Sequence, residues 1–227
     1  MRLLPILAIL APAAGAADPQ LEQARDRQDR AALERLIGER TRRAQKNPGD
    51  AEAHYALALA GSYLAQVAIE TGDRALARSA AESAVRAAER AVALQPDRAE
   101  HHRVHGTLCG QVIPGNVLAG LRYGRCALEA LNKAIELAPR SAEVWLSRGV
   151  GYYYLPAAFG GGVEPALRDF EQALRLNARS AEAHLWMGVA LRKANRPAEA
   201  RQAFQKALAL NPNRIWAKQQ LEKTPAQ

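Results

Sequence analysis

Cysteine is nearly absent: Cys109 and Cys126 are the two thiols in 227 residues, and without a C-x-x-C spacing thiol redox catalysis has no motif to work from. No G-x-S-x-G elbow surrounds Ser83, Ser141, Ser147 or Ser180, so a serine nucleophile lacks the strained turn that exposes it. Gly160-Gly161-Gly162 has neither the Lys-Ser/Thr nor the preceding strand of a phosphate-binding loop. His101 and His105 lie four apart and share a helix face, but no HExxH and no carboxylate-rich or cysteine-rich neighbours in sequence supply further ligands. These absences predict a chain that is not an enzyme and that carries no cofactor and no metal.

Long apolar runs are also missing. The first residues carry Arg2, an apolar run from Leu3 to Leu10 broken by Pro5 and followed by Pro12, and a small-x-small site at Ala14-Gly15-Ala16. That run is shorter than the roughly 20 residues a spanning helix needs, and the arrangement is that of a secretory signal peptide cut after Ala16. With no Cys behind the apolar run, lipidation is not expected. A periplasmic destination, with no stable membrane insertion after cleavage, follows as the expectation. Charge of one sign is in modest excess: Lys+Arg number 31 against Asp+Glu 23, a net +8. The charges are spread through the whole chain, with few runs such as Arg40 to Arg43, so a solvated basic surface is predicted and no nucleic-acid partner.

What the chain does have is internal repetition. Start tags Ala51-Glu52-Ala53, Ala99-Glu100-His101, Ala142-Glu143-Val144 and Ala181-Glu182-Ala183 alternate with stops at Pro48, Pro96, Pro139, Ala178 and Pro212. The stops are 48, 43, 39 and 34 residues apart. The segment Ala181 to Pro212 has His184, Met187, Gly188 and Leu191, then Ala200 and Phe204, then Pro212. This resembles the tetratricopeptide repeat, a helix-turn-helix unit of roughly 34 residues with the pattern W-x2-L-G-x2-Y, A-x3-F, P. The third unit keeps Trp145, Gly149, Tyr152, Ala166 and Phe170. Long early hairpins and the Pro156 to Gly162 loop look like an exported bacterial subset of the family.

The resemblance implies an all-α fold, a right-handed α-solenoid whose units are stable only when stacked. The expected organisation is a signal peptide over 1–16, N-terminal capping helices over 17–48, and four hairpins within 51–213, at 51–96, 99–139, 142–178 and 181–212. A C-terminal capping helix over 214–223 and a disordered tail over 224–227 follow. Small residues at Gly188 and Ala200 are expected to let the two helices of a hairpin approach closely, with Phe204 turned toward the next hairpin. His54, His102 and His184 occupy the bulky position that Trp145 fills and are expected to pack there.

The resemblance also implies a concave face lined by the first helix of each hairpin. Carried over position by position, it includes Tyr55, Leu59 and Tyr63, then Arg103 and Thr107, then Leu146, Val150, Tyr153 and Tyr154, and finally Trp186, Val189, Arg192 and Lys193. Rings beside arginines suit a protein or peptide partner. The opposing reading places Tyr63 and Tyr154 in the core under neighbouring hairpins. The Lys and Asn combination that clamps C-terminal carboxylates in some cochaperones is missing. Cys109 and Cys126 lie nearly symmetrically about the bend at Ile113 to Asn116, so either a disulfide or two buried thiols fits. The function expected is a periplasmic scaffold or adaptor serving an envelope complex, such as outer-membrane assembly, secretion, cytochrome maturation or wall synthesis. The competing expectation is a small-ligand component of a transport system, which a closed apolar pocket would favour. Self-association through terminal hairpins is a further option the family implies.

Overall fold

The computed structural model describes residues 18–113 and 117–225; the expected signal peptide over 1–16 and residues 114–116 of the expected bend lie outside them. Among the described residues the regular structure is helical throughout. Two short leading helices, α1 (Pro19–Asp26) and α2 (Arg30–Lys46), precede four hairpins. These pair α3 (Ala51–Thr71) with α4 (Arg74–Leu94), α5 (Ala99–Val112) with α6 (Val117–Leu137), α7 (Ala142–Tyr154) with α8 (Val163–Leu176), and α9 (Ala181–Lys193) with α10 (Pro197–Leu210). A last helix, α11 (Ile215–Glu222), closes the chain.

Local chemistry sets the helix starts. Asp18, Asp29, Asp50, Asp73 and Ser180 each accept a bond from a first-turn backbone N–H of the helix they precede, satisfying donors that have no partner inside the helix. The start-tag glutamates Glu52, Glu100, Glu143 and Glu182 fall in first turns, where the helix dipole favours an anion. Gly72, at φ +84°, supplies the left-handed residue that ends α3 and lets α4 turn back.

The stop tags have a partner that spacing alone does not reveal. His54 Nε2 lies 3.2 Å from the Pro48 carbonyl, His102 Nε2 2.8 Å from that of Pro96, and His184 Nε2 3.1 Å from that of Ala178. Trp145 Nε1–H donates to the Pro139 carbonyl at 2.9 Å in the third unit. Indole nitrogen can only donate, so the shared geometry assigns the Nε2–H tautomer to the three histidines. The position expected to be filled for bulk is therefore a hydrogen-bonding one, and each ring latches the start of its hairpin to the preceding turn.

Within a hairpin the helices touch at glycine. A Cβ on Gly188 would stand 2.6 Å from Phe204 Cε1, and one on Gly149 2.5 Å from Phe170 Cε1. Phe204 thus fills the seam inside its own hairpin, contrary to the expectation that it faces mainly outward to the next. Between hairpins, α3 packs on α5, α5 on α7 and α7 on α9. Because first helices approach one another along the whole row, they form the inner, tighter face of the curve.

The row curves far enough for its ends to meet. Gln28, in the α1–α2 turn at φ +52°, exchanges hydrogen bonds with Gln219 of α11 at 3.3 and 3.1 Å, and Asn211 donates to Asp26 at 2.6 Å. Thr224 is not part of a free tail: it is 2% exposed, and Arg201 donates to its carbonyl at 2.7 Å. For Thr224 this corrects the expectation of disorder after Lys223, since Arg192 and Arg201 hold the backbone that leaves α11; residues 226–227 lie outside the described residues.

Candidate partner-binding trough

The inner face is a trough bounded by α3, α5, α7 and α9, and much of it is occupied by the chain itself. Helix α1 lies against α3 on this side, with the Arg25 guanidinium 5.0 Å from the centre of the Tyr63 ring. Burial pushes the Tyr63 hydroxyl pKa up, with Arg25 and Arg103 pulling it back. Tyr55 is 6% exposed, packs on the His101 ring at 5.3 Å, and has its pKa raised by burial to about 12. Leu59 is buried with it.

Arg103 is held too. It pairs with Glu100 at 2.7 Å and reaches Ser147 at 3.4 Å. Burial alone would lower its pKa, but Glu100 first, then Tyr55 and Tyr63, leave it raised. Thr107 is tied back to the Arg103 carbonyl at 2.9 Å. Of the downstream set, Trp186 is 6% exposed and meets the Trp216 ring at 5.0 Å, so it is wall and core at once. Val189 is buried beside it, and Leu146 and Val150 pack against the same core. Arg192 is turned to α11, donating to Gln220 and Thr224.

Three sequence-predicted residues remain open on the trough: Tyr153, Tyr154 and Lys193. Tyr154 is 48% exposed and meets the Tyr153 ring edge-on at 5.1 Å and the Trp186 ring at 6.1 Å. Its hydroxyl pKa is nevertheless raised, by burial first and then by Tyr153 and Glu70. Its edge-on contacts with Tyr153 of α7 and Trp186 of α9 set the ring between the first helices of the third and fourth hairpins. The Lys193 ammonium stands 4.3 Å from the centre of the Tyr153 ring and donates to the Tyr153 carbonyl at 3.3 Å. After Tyr154 the chain makes a short turn, Ala157–Phe159, whose Phe159 is 67% exposed. The turn is pinned by the Gly162 N–H donating to the Tyr152 carbonyl at 2.8 Å.

Where the trough closes, five charged side chains converge that sequence reasoning did not bring together. Arg214, the residue preceding α11, makes a two-pronged pair with Glu70 at the end of α3 and donates to Glu182 of α9 at 2.6 Å. Asp26 lies 3.6 Å from the same guanidinium. Arg25 pairs with Asp26 at 2.7 Å and approaches Glu182 at 3.7 Å. Burial would raise the Glu182 pKa, but Arg214 and Arg25 outweigh it and hold the carboxyl at about 2. The cluster carries three carboxylates on two guanidiniums, and the nearby Glu22 pKa is raised, chiefly by burial, with Asp26 and Asp18 adding to it. A start-tag glutamate and an acidic residue at a helix end were visible in sequence, but nothing there linked them.

Cys109 and Cys126 are joined by a disulfide, with a Cα–Cα distance of 6.0 Å. His105 Nε2 lies 3.5 Å from Cys126 Sγ, so this histidine does have sulfur neighbours, contributed by the facing helix. His101 instead turns Nδ1 to the Ala91 carbonyl at 3.1 Å. Two depressions, of about 530 and 330 Å³, are lined by Glu52, Gln95, Asp97 and Arg98 and by Pro19, Glu22, Gln23, Asp26 and Asn213. Both are predominantly polar in their lining residues, unlike the closed apolar pocket a small-ligand carrier would need.

Residues 159–215 match the family model described as tetratricopeptide repeat. No curated protein matches the chain. Among solved structures, a thermophilic tetratricopeptide-repeat protein of Thermus thermophilus is similar at 22% identity, with a TM-score of 0.61 over 88% of this chain and 99% of that one. Less similar are PilF of Pseudomonas aeruginosa, at 20% identity and TM-score 0.48 over 71% and 64% of the two chains, and YrrB, described as having an unusual peptide-binding site, at 19% identity and TM-score 0.44 over 89% and 90%. Residues 159–215, from the turn before α8 through the fourth hairpin, thus carry the tetratricopeptide-repeat sequence pattern, and the chain as a whole has the fold of the similar Thermus thermophilus protein.

Proposed function

We propose that the protein is a non-catalytic, exported scaffold that holds a protein or peptide segment against the open part of its trough, in the assembly or regulation of an envelope complex. The observation that carries the reading is Tyr154: a large aromatic ring left 48% exposed while the Trp186 ring it meets is 6% exposed. Beside it, the exposed Lys193 ammonium and the protruding Phe159 suit a segment that combines apolar side chains with a carboxylate. Export rests on the features of the first 16 residues, and a disulfide accords with an oxidising compartment.

Capture from an envelope extract tests it. The wild type is expected to retain a defined chain, and Tyr154→Ala combined with Lys193→Glu to lose it while keeping its helical circular-dichroism signal. Undiminished capture by the double variant rejects this surface. Export is read separately, from cell fractionation and from the mature N-terminus, expected at Ala17; a cytoplasmic, uncut chain rejects that part.

A further inference from the structure

We propose that His105, Cys109 and Cys126 form a metal site, open when the Cys109–Cys126 disulfide is reduced and shut when it is formed, for a thiophilic cation of the Zn²⁺ type. One ligand atom from each residue lies within 4.8 Å of the other two. His105 and Cys109 are one helical turn apart on α5 and point to the same side, and Cys126 comes across from α6 of the same hairpin at a Cα–Cα distance of 6.0 Å from Cys109. That spacing serves a disulfide and, once the sulfurs part, also lets two thiolates share a metal.

The donor set decides the class of ion. Two thiolates and an imidazole are the protein ligands of a four-coordinate Cys2His site with a water in the last position, and they exclude the oxygen-seeking Mg²⁺ and Ca²⁺. Cys109 is buried whereas His105 and Cys126 are half-buried, which leaves an outward side for that water. His105 Nε2 already faces Cys126 Sγ at 3.5 Å.

The two states exchange by balanced steps. A dithiol reductant gives two electrons and two protons to the disulfide, yielding two thiols and the oxidised reductant; the metal then displaces both thiol protons. In the reverse direction a disulfide oxidant takes two electrons from the two thiolates and two protons from solvent, becoming a dithiol, while the Cys109–Cys126 bond forms and the ion is released. The second hairpin is thus cross-linked between α5 and α6 in either state, by a covalent bond or by a coordinated cation.

Full-length mature protein, reduced and kept free of oxygen, is titrated with Co²⁺ as a spectroscopic substitute for Zn²⁺. One equivalent is expected to bind with a thiolate-to-cobalt charge-transfer band, to be displaced by Zn²⁺, and to protect both thiols from a thiol reagent; the oxidised protein is expected to give no such band. His105→Ala, which leaves both sulfurs in place, should weaken binding by at least roughly tenfold, the lower limit seen when even an outer-shell partner of a metal ligand is lost. Uptake without the thiolate band, affinity no greater than that of Cys109→Ser/Cys126→Ser, or unchanged affinity in His105→Ala would each overturn the assignment. Reduced and oxidised wild type are the same chain, so this comparison does not depend on how a variant folds.

Discussion

Arg214 and Glu70, separated by 144 positions in sequence, form a two-pronged ion pair in which each side chain is 1% exposed. The pair joins the residue preceding α11 to the end of α3 in the first hairpin, so it fixes how far the row of hairpins curves. In a repeat array each hairpin otherwise contacts only its neighbours, and closure of this kind makes distant hairpins depend on one another.

Arg214→Ala is expected to be severely destabilising. It strands Glu70 and Glu182 without their cation, and removing one partner of a buried pair costs about 3–5 kcal/mol. Thermal unfolding should show a melting temperature lower by roughly 10 °C for a domain of this size, and α1 should become susceptible to proteolysis. A shift of a degree or two would mean that the closure contributes little.

Acid should loosen the same contact through Glu182. Its pKa is depressed from 4.5 to about 2 in the fold, so its contribution to stability is complete above pH 4.5 and is lost as pH falls toward 2. The raised pKa of Glu22 acts in the opposite direction, its contribution being lost as pH rises through its folded value. Denaturant unfolding at a series of pH values should therefore show Glu182→Gln less stable than wild type at pH 7 and flatter between pH 4.5 and 2. Parallel profiles for the two proteins would contradict the pairing.

Two glycines should respond oppositely to alanine. Gly188→Ala places a Cβ 2.6 Å from Phe204 and is expected to cost about 1–3 kcal/mol through overpacking. Gly110, inside α5, has nothing within 4 Å of an added Cβ, and Gly110→Ala should stabilise by about 0.5–1 kcal/mol by removing backbone freedom from the unfolded chain. Urea midpoints at constant slope measure both.

His184→Ala should lose the bond to the Ala178 carbonyl, at a cost of about 1 kcal/mol. His184→Trp should retain it, because Trp145 makes the equivalent bond in the preceding hairpin. Equal destabilisation by Ala and Trp would show that the ring acts through bulk alone.

Much of the architecture was legible because it is written locally. The Ala-Glu start tags, the Pro or Ala stops and the Gly-to-Phe spacing within Ala181 to Pro212 involve residues within one hairpin, where helical periodicity fixes who faces whom. The candidate trough was legible only as a set of positions. Sequence placed Tyr153, Tyr154, Trp186 and Arg192 on one face, but which of them stays open depends on what covers it: Trp216 seals Trp186, α11 engages Arg192, and Tyr154 is left bare. The sulfur neighbours of His105 were hidden for a similar reason, since Cys126 reaches it from across the bend.

By itself the amino-acid order determined that the chain forms stacked helical hairpins, where the start and stop tags fall, and which residues could face inward, because caps, glycines and periodic apolar positions act over a few residues. Tertiary structure alone decided that the two ends of the row meet. Curvature is the sum of small rotations between successive hairpins, each set by side-chain packing, and only their accumulated total brings Arg214 to Glu70 and leaves Tyr154 uncovered.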